Sequence, residues 1–253
     1  MVRGLAKFRE HFAAYTDQYI LIGGAACSLA MEDAGLEFRA TRDLDIVLVI
    51  EALDTEFAKV FWGFVEEGGY DHRQKSTGKD VFYRFYEPSD ADYPVMLELF
   101  SRKPDGLALA PGSHLTPIPI DEEIASLSAI LLDEAYYLFI KEGKREIGDL
   151  ALIGAEHLIP MKARAWQDLH ARRASGGGVD SRDIVKHKND VFRLYQLLSA
   201  ETRIALPDSV RLDMLEFCDH VESDGNVDLS QLGLRNTKMA EVLANIREIY
   251  GLN

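Results

Sequence analysis

Asp43 and Asp45 are separated by a single leucine and followed by the unbroken aliphatic run Ile46-Val47-Leu48-Val49-Ile50. In a strand, residues two apart share a face and lie roughly 7 Å apart. Two carboxylates aimed at one point repel unless a cation sits between them. Mg2+, which takes carboxylates together with substrate phosphates, meets that need. Upstream, Gly23-Gly24 ends the short apolar run Tyr19 to Ile22 and opens an Ala- and Leu-rich stretch. Glycines at a strand-to-helix turn let backbone N–H groups approach a phosphate, and the helix N-terminus adds partial positive charge. Glu98 is an acid inside the otherwise apolar Val95 to Phe100. A buried, unpaired carboxylate is costly. Glu98 is therefore expected to face a cation or water, completing with Asp43 and Asp45 a triad for two metal ions about 3.5–4 Å apart. Thr41-Arg42 precede the two aspartates and the apolar strand follows them. That order suits a metal platform better than a nucleophile at a strand's C-terminal end.

These residues need elements to hold them. Helical spacing is read over 3–15, 25–34 and 53–68, with strands at Tyr19–Ile22 and Ile46–Ile50. The second strand is expected to be covered on both faces, because its apolar run does not alternate. Asp80 to Glu87 alternates Val81, Tyr83 and Phe85 against Phe82, Arg84 and Tyr86, and pairs through a turn at Pro88 to Asp92 with a strand at Val95–Phe100. Residues 101–122 read as irregular, and Leu127 to Leu131 as a last strand. Beyond them the pattern turns helical: 133–142, 156–173, 182–199, 208–222 and 238–250. Strands in the first half and helices in the second predict an α+β chain. Its α/β domain is placed at residues 1–120 and a mainly helical domain at 121–253, with the boundary between about 120 and 155.

The chain has 253 residues, 47% of them hydrophobic, enough for a packed core. Its net charge of −14 opposes non-specific binding to bulk DNA or an anionic membrane. Two cysteines without a CxxC pair argue against a disulfide framework or a Cys-rich zinc site. Cys27 is expected to pack as a small apolar residue and Trp166 in the core. The N-terminal residues carry charges among their apolar positions, and no apolar run approaches the ~20 residues that span a bilayer. A cytoplasmic chain is expected.

In the second half, Pro160 suits the first turn of a helix, and Leu158, Met161, Ala165 and Leu169 can form its apolar face, with Lys162 at the rim. Ser175 to Asp180 reads as a flexible loop, with Asp180 or Ser181 capping the next helix. Asp183 follows in that helix's first turn, where the helix dipole favours an acid. Lys186, His187 and Lys188 read as a solvated face, and no His or Cys stands at ligand spacing from His187. Residues 155–195 hold eight basic and five acidic residues, net +3, against −17 for the rest. Such an island is where a triphosphate or the acceptor end of an RNA can dock.

Ile22-Gly23-Gly24, Asp43-Leu44-Asp45 and Glu98, in that order, resemble the nucleotidyltransferase superfamily with the DNA-polymerase-β-like fold. The 18 residues between Gly24 and Asp43 exceed the usual gap. Pro160-Met161-Lys162-Ala163-Arg164-Ala165 and Asp183 resemble the Lys motif and the later Asp motif of AbiEii-type nucleotidyltransferases, the toxin half of type IV toxin–antitoxin pairs. The resemblance runs from about residue 18 to 195. It implies a mixed sheet with flanking helices followed by a C-terminal helical bundle. It further implies a two-metal Mg2+ site on Asp43, Asp45 and Glu98, and triphosphate contacts from Gly23, Gly24 and Lys162. Asp183 would assist nucleotide or acceptor chemistry. The implied partners are an NTP, a tRNA or protein acceptor and a cognate antitoxin. Two further readings stand beside it: a non-catalytic antitoxin or scaffold with the same fold, and an antibiotic-modifying nucleotidyltransferase.

Overall fold

A computed structural model describes residues 2–72, 83–105, 115–118, 128–224 and 227–252. The chain divides into two compact units, residues 1–33 with 39–153, and residues 34–38 with 154–253.

The first unit is built on one mixed sheet. Its strands are β1 (Tyr19–Ile22), β2 (Asp43–Leu48), β3 (Arg84–Tyr86), β4 (Met96–Ser101), β5 (Leu115–Pro117), β6 (Ser128–Leu131), β7 (Lys144–Ile147) and β8 (Leu150–Ile153). The order across the sheet is β5-β6-β4-β2-β1-β8-β7, with β3 also paired to β4. β4 thus has β2 along one edge. Its other edge is shared by β3 near Met96–Glu98 and β6 near Phe100–Ser101. The helices are α1 (Leu5–Phe12), α2 (Gly23–Asp33), α3 (Thr55–Gly68) and α4 (Glu134–Glu142).

Burial along β2 and β4 alternates through their first halves, so each strand has one wet and one dry face there. The dry face carries Leu44, Ile46, Leu97 and Leu99, all buried. Phe8 and Phe12 of α1 and Phe57, Phe61 and Phe64 of α3 form an aromatic layer. It meets Tyr19 of β1 (Phe8–Tyr19 5.3 Å) and Phe85 of β3 (Phe61–Phe85 5.5 Å). β1 is buried at all four positions, and β2 and β8 pair along its two edges. α3 starts where the Asp54 carboxylate accepts the Phe57 N–H at 2.8 Å and stops at Gly69, φ 61°.

Two expectations are revised here. β6 is not the last strand: β7 and β8 form a hairpin through Gly148-Asp149, and β8 pairs parallel with β1. The sheet-bearing unit runs past residue 120 to Ile153, within the span of about 120 to 155 expected for the boundary. Residues 115–117, expected to be irregular, pair with β6. The expectations for Asp80–Phe82 and for most of 101–127 concern positions outside the described residues.

At the far end of β2 and β4 from the aspartates, the Tyr137 hydroxyl of α4 donates to Glu51 (2.7 Å) and accepts the Ile50 N–H (3.2 Å). Arg102 and Lys141 also hold Glu51, at 2.9 and 3.0 Å. Burial pushes the Glu51 carboxyl up, but hydrogen bonds from Tyr137, its own backbone, Lys141 and Arg102 outweigh it and leave a pKa of about 2.

The second unit is helical: α5 (Ala155–Ala174), α6 (Ser181–Tyr195), α7 (Asp208–Asp224) and α8 (Met239–Ile249). Asp180 caps α6, accepting the Arg182 N–H at 2.9 Å. α5 begins at Ala155, which puts Pro160 in its second turn rather than its first. A proline there lacks the N–H that would bond the carbonyl four residues earlier. That carbonyl belongs to Glu156, and it accepts the buried Tyr250 hydroxyl at 2.7 Å. Trp166 and Cys27 are buried, and burial pushes the thiol of Cys218 up to about 12. Among the described residues, no helix is long and apolar enough to cross a membrane.

Candidate functional site

Asp43 opens β2 and Asp45 is its third residue, so both project from the sheet face opposite the aromatic layer. β2 and β4 run parallel with Asp45 beside Glu98 and Asp43 beside Met96. Neighbouring strands lie about 4.8 Å apart, and residues in register share a face. β1 pairs antiparallel with β2, Ile22 opposite Asp45. The chain leaves the sheet at Gly23 directly beside that carboxylate. Gly23 has φ +66°, and a Cβ there would fall 1.8 Å from Asp45 Oδ2. Only glycine allows both the left-handed backbone and this close approach. Gly24 faces Thr41: a Cβ would lie 2.5 Å from its Oγ1 and 3.7 Å from an Arg39 guanidinium nitrogen. Gly23, Gly24, Asp43, Asp45 and Glu98 are thus brought together at one end of the sheet, with the first turn of α2 alongside.

Glu98 is already engaged. β3 pairs antiparallel with β4, Arg84 opposite Glu98. The Arg84 Nε donates to Glu98 Oε1 at 2.7 Å, and Nη2 donates to the same oxygen. The Glu98 side chain is 13% exposed and that of Arg84 45%. The acid in an apolar strand therefore faces a guanidinium, one of the partners its burial demands.

No protein-family model matches the chain, and no curated protein matches it. Among solved structures, the Megavirus polyadenylate synthase is similar over 88% of this chain and 42% of its own, with 10% identity and a TM-score of 0.33. The chain spans less than half of that protein's length. A likeness this remote leaves the site to be read from its own geometry.

The carboxylate oxygens of Asp43 and Asp45 are the hard donors that Mg2+ takes. The glycine beside Asp45 leaves its carboxylate room that any side chain would fill. These two acids fit a divalent ion. Glu98 stands at the right register, but its carboxylate is turned to Arg84. Among the described residues, no group of three or more His, Cys, Asp or Glu side chains converges as a metal cage. The triad is adjacent in the sheet without being gathered around one point.

The other site candidates lie in the second unit. Lys162 does not rim the apolar face of α5. It sits within the buried stripe of Leu158, Ile159, Ala163 and Trp166, and its ammonium lies 3.5 Å from the fully buried Asp190. Arg193 holds the other oxygen of Asp190 at 3.2 Å. Asp183 is exposed in the first turn of α6, with its N–H bonded to the Asp180 carbonyl. It lies seven residues, about 10 Å along the helix, from the acid that Lys162 contacts. Lys188 also departs from the solvated face expected of it: it is buried and bonds Asp224 at 2.9 Å. Of the eight cations in the basic segment, Lys162, Arg164, Arg182, Lys188 and Arg193 pair with carboxylates, which consumes most of its surplus charge internally.

Sequence reading missed Arg84, Arg39 and Asp190. Arg84 carried a signal: strand alternation sets it with Tyr86 on one face and Phe85 on the other. Arg39 carried none, in a polar loop without periodicity. Asp190 was counted as a charge, but nothing linear marked it as the partner of a lysine 28 positions earlier.

Proposed function

We propose that the chain is a metal-dependent nucleotidyltransferase, moving a nucleoside monophosphate from an NTP to an acceptor hydroxyl with release of pyrophosphate. The observation that carries this reading is the register: Asp43 and Asp45 on one strand and Glu98 beside Asp45 on the next, against the glycine turn at the head of α2. Asp43 and Asp45 hold the divalent ion. Bound Mg2+ would neutralise phosphate charge and lower the pKa of the acceptor hydroxyl. The Gly23 and Gly24 amides donate to phosphate oxygens, and the α2 dipole favours that negative charge. Catalysis of this kind works by positioning and by charge stabilisation in a fixed frame. A rigid strand pair buried on its opposite face supplies such a frame.

The finer proposal is a toxin-like enzyme of the AbiEii type, acting on a tRNA or protein acceptor and restrained by a cognate antitoxin. Its support is the motif order together with the exposed Asp183, which is open to an acceptor. The phosphate-contact role of Lys162 has less support, because its ammonium would have to leave Asp190. The antitoxin or scaffold reading is the alternative: it keeps the fold and needs no divalent ion.

Incubation with each α-labelled NTP, Mg2+ and a cell extract tests the proposal. Asp45→Asn is expected to abolish label transfer while circular dichroism and melting stay native. Transfer retained by the folded variant would remove Asp45 from the chemistry. Absence of Mg2+-dependent NTP binding by the wild type would favour the scaffold.

A further inference from the structure

The sheet places three charged residues side by side, Asp45 on β2, Glu98 on β4 and Arg84 on β3, by two consecutive register pairs. The guanidinium engages Glu98 Oε1 through both Nε and Nη2. Charge-assisted contacts of this kind are about twice as strong as neutral hydrogen bonds. The planar donor fork of arginine suits it to a carboxylate. Glu98 is mostly buried, whereas Arg84 is nearly half exposed and lies in a short strand paired at its described residues to β4. Of the pair, Arg84 has the solvent into which to move.

We propose that Arg84 is a positioning residue that acts as an internal counter-ion, holding Glu98 away from the aspartate pair until a divalent ion displaces it. The inference rests on the nucleotidyltransferase reading of this site and adds its regulation. Asp43 and Asp45 bind a first ion without Glu98. Glu98 joins a second only after the guanidinium lets go, so the second ion binds more weakly than three carboxylates alone would dictate. Once displaced, Arg84 stays on the site's edge as a cation that an anionic triphosphate attracts. Loading of nucleotide and loading of the second ion therefore assist each other.

The test is Mn2+ titration of the full chain, followed by electron paramagnetic resonance of free Mn2+, for wild type, Arg84→Met, Arg84→Lys, Glu98→Gln and the Arg84→Met/Glu98→Gln double variant. Folding is checked by circular dichroism. Arg84→Met is expected to bind its second Mn2+ roughly five- to tenfold more tightly, the effect of losing a partly exposed charge-assisted contact. Arg84→Lys should fall between it and the wild type. The gain should vanish in the Glu98→Gln background. Unchanged affinity in Arg84→Met, or a gain that survives Glu98→Gln, overturns the proposal. The readout needs no turnover. Failure of the transferase reading shows instead as tight Mn2+ binding without label transfer by the wild type.

Discussion

Lys162 illustrates how a residue's setting changes its meaning. A lysine beside a methionine near a helix start reads as rimming an apolar face, and the family resemblance implies a phosphate contact, but the fold turns it inward onto Asp190, which has no exposure of its own. Removing one partner of a buried pair leaves a charge without compensation, at about 3–5 kcal/mol. Arg193 stays on the other oxygen, so the lower end applies. Lys162→Met is expected to lower unfolding stability by about 3 kcal/mol in urea. Adding Asp190→Leu should recover part of that loss, since both charges then leave the interior. A lysine that only met phosphate would leave the urea midpoint unchanged and weaken nucleotide binding alone. At this scale the sequence was legible where a residue type is forced by its backbone. Gly23 is such a case, because the left-handed turn beside a carboxylate admits no side chain. A side chain whose partner comes from a distant position with no shared pattern, such as Lys162 with Asp190, was not legible.

Among the elements, α4 is fastened to the sheet by a carboxylate rather than by apolar burial alone. Glu51 follows β2, and three side chains from the end of β4 and from α4 converge on it. Its folded pKa of about 2 lies below the ordinary 4.5, so the fold favours the ionised form. The stability this contributes is fully present above about pH 4.5 and is lost as pH falls toward 2. Between pH 5.5 and 2.5 the wild type is expected to lose more urea resistance than Glu51→Gln, which has no carboxylate there to protonate. The Glu51 side chain is 38% exposed, so solvent and ions screen the effect, and 1 M salt should shrink the difference. Equal losses in both proteins would remove Glu51 as the cause. Periodicity found α1 to α8 and most strands, because each buries one face and so repeats apolar residues at its own period. It missed β5, β7 and β8. Lys144 to Ile147 has too many charges for a core strand, since β7 is the sheet's edge, and Leu150 to Ile153 is too short to be told from a helix start.

For the whole molecule, sequential order and spatial order differ. β1 and β8 are neighbours, yet more than a hundred residues lie between them. A chain cut at residue 120 would leave β1, buried on both faces in the full protein, with a bare edge and an apolar surface. Residues 1–120 are expected to be insoluble when produced alone. Residues 1–153, which include β8, should give a soluble product with a cooperative melt. Gel filtration and circular dichroism of the two fragments check this, and a folded 1–120 would show that β8 is dispensable. The α+β character was legible in the sequence, because strand-like runs crowd the first half and helical ones the second. The returning strand was not, since its place is decided by pairing with residues near the N-terminus.

The hydroxyl of Tyr250 serving the carbonyl that Pro160 strands also bears on which substitutions this chain could have accepted, and in what order. A ring nitrogen in the second turn of α5 is tolerable only where a donor already waits for the abandoned oxygen. The phenol is most valuable only once the amide hydrogen is gone. Each residue thus sets the worth of the other across ninety positions, and relatives that lack the imino acid at 160 would be free to vary at 250.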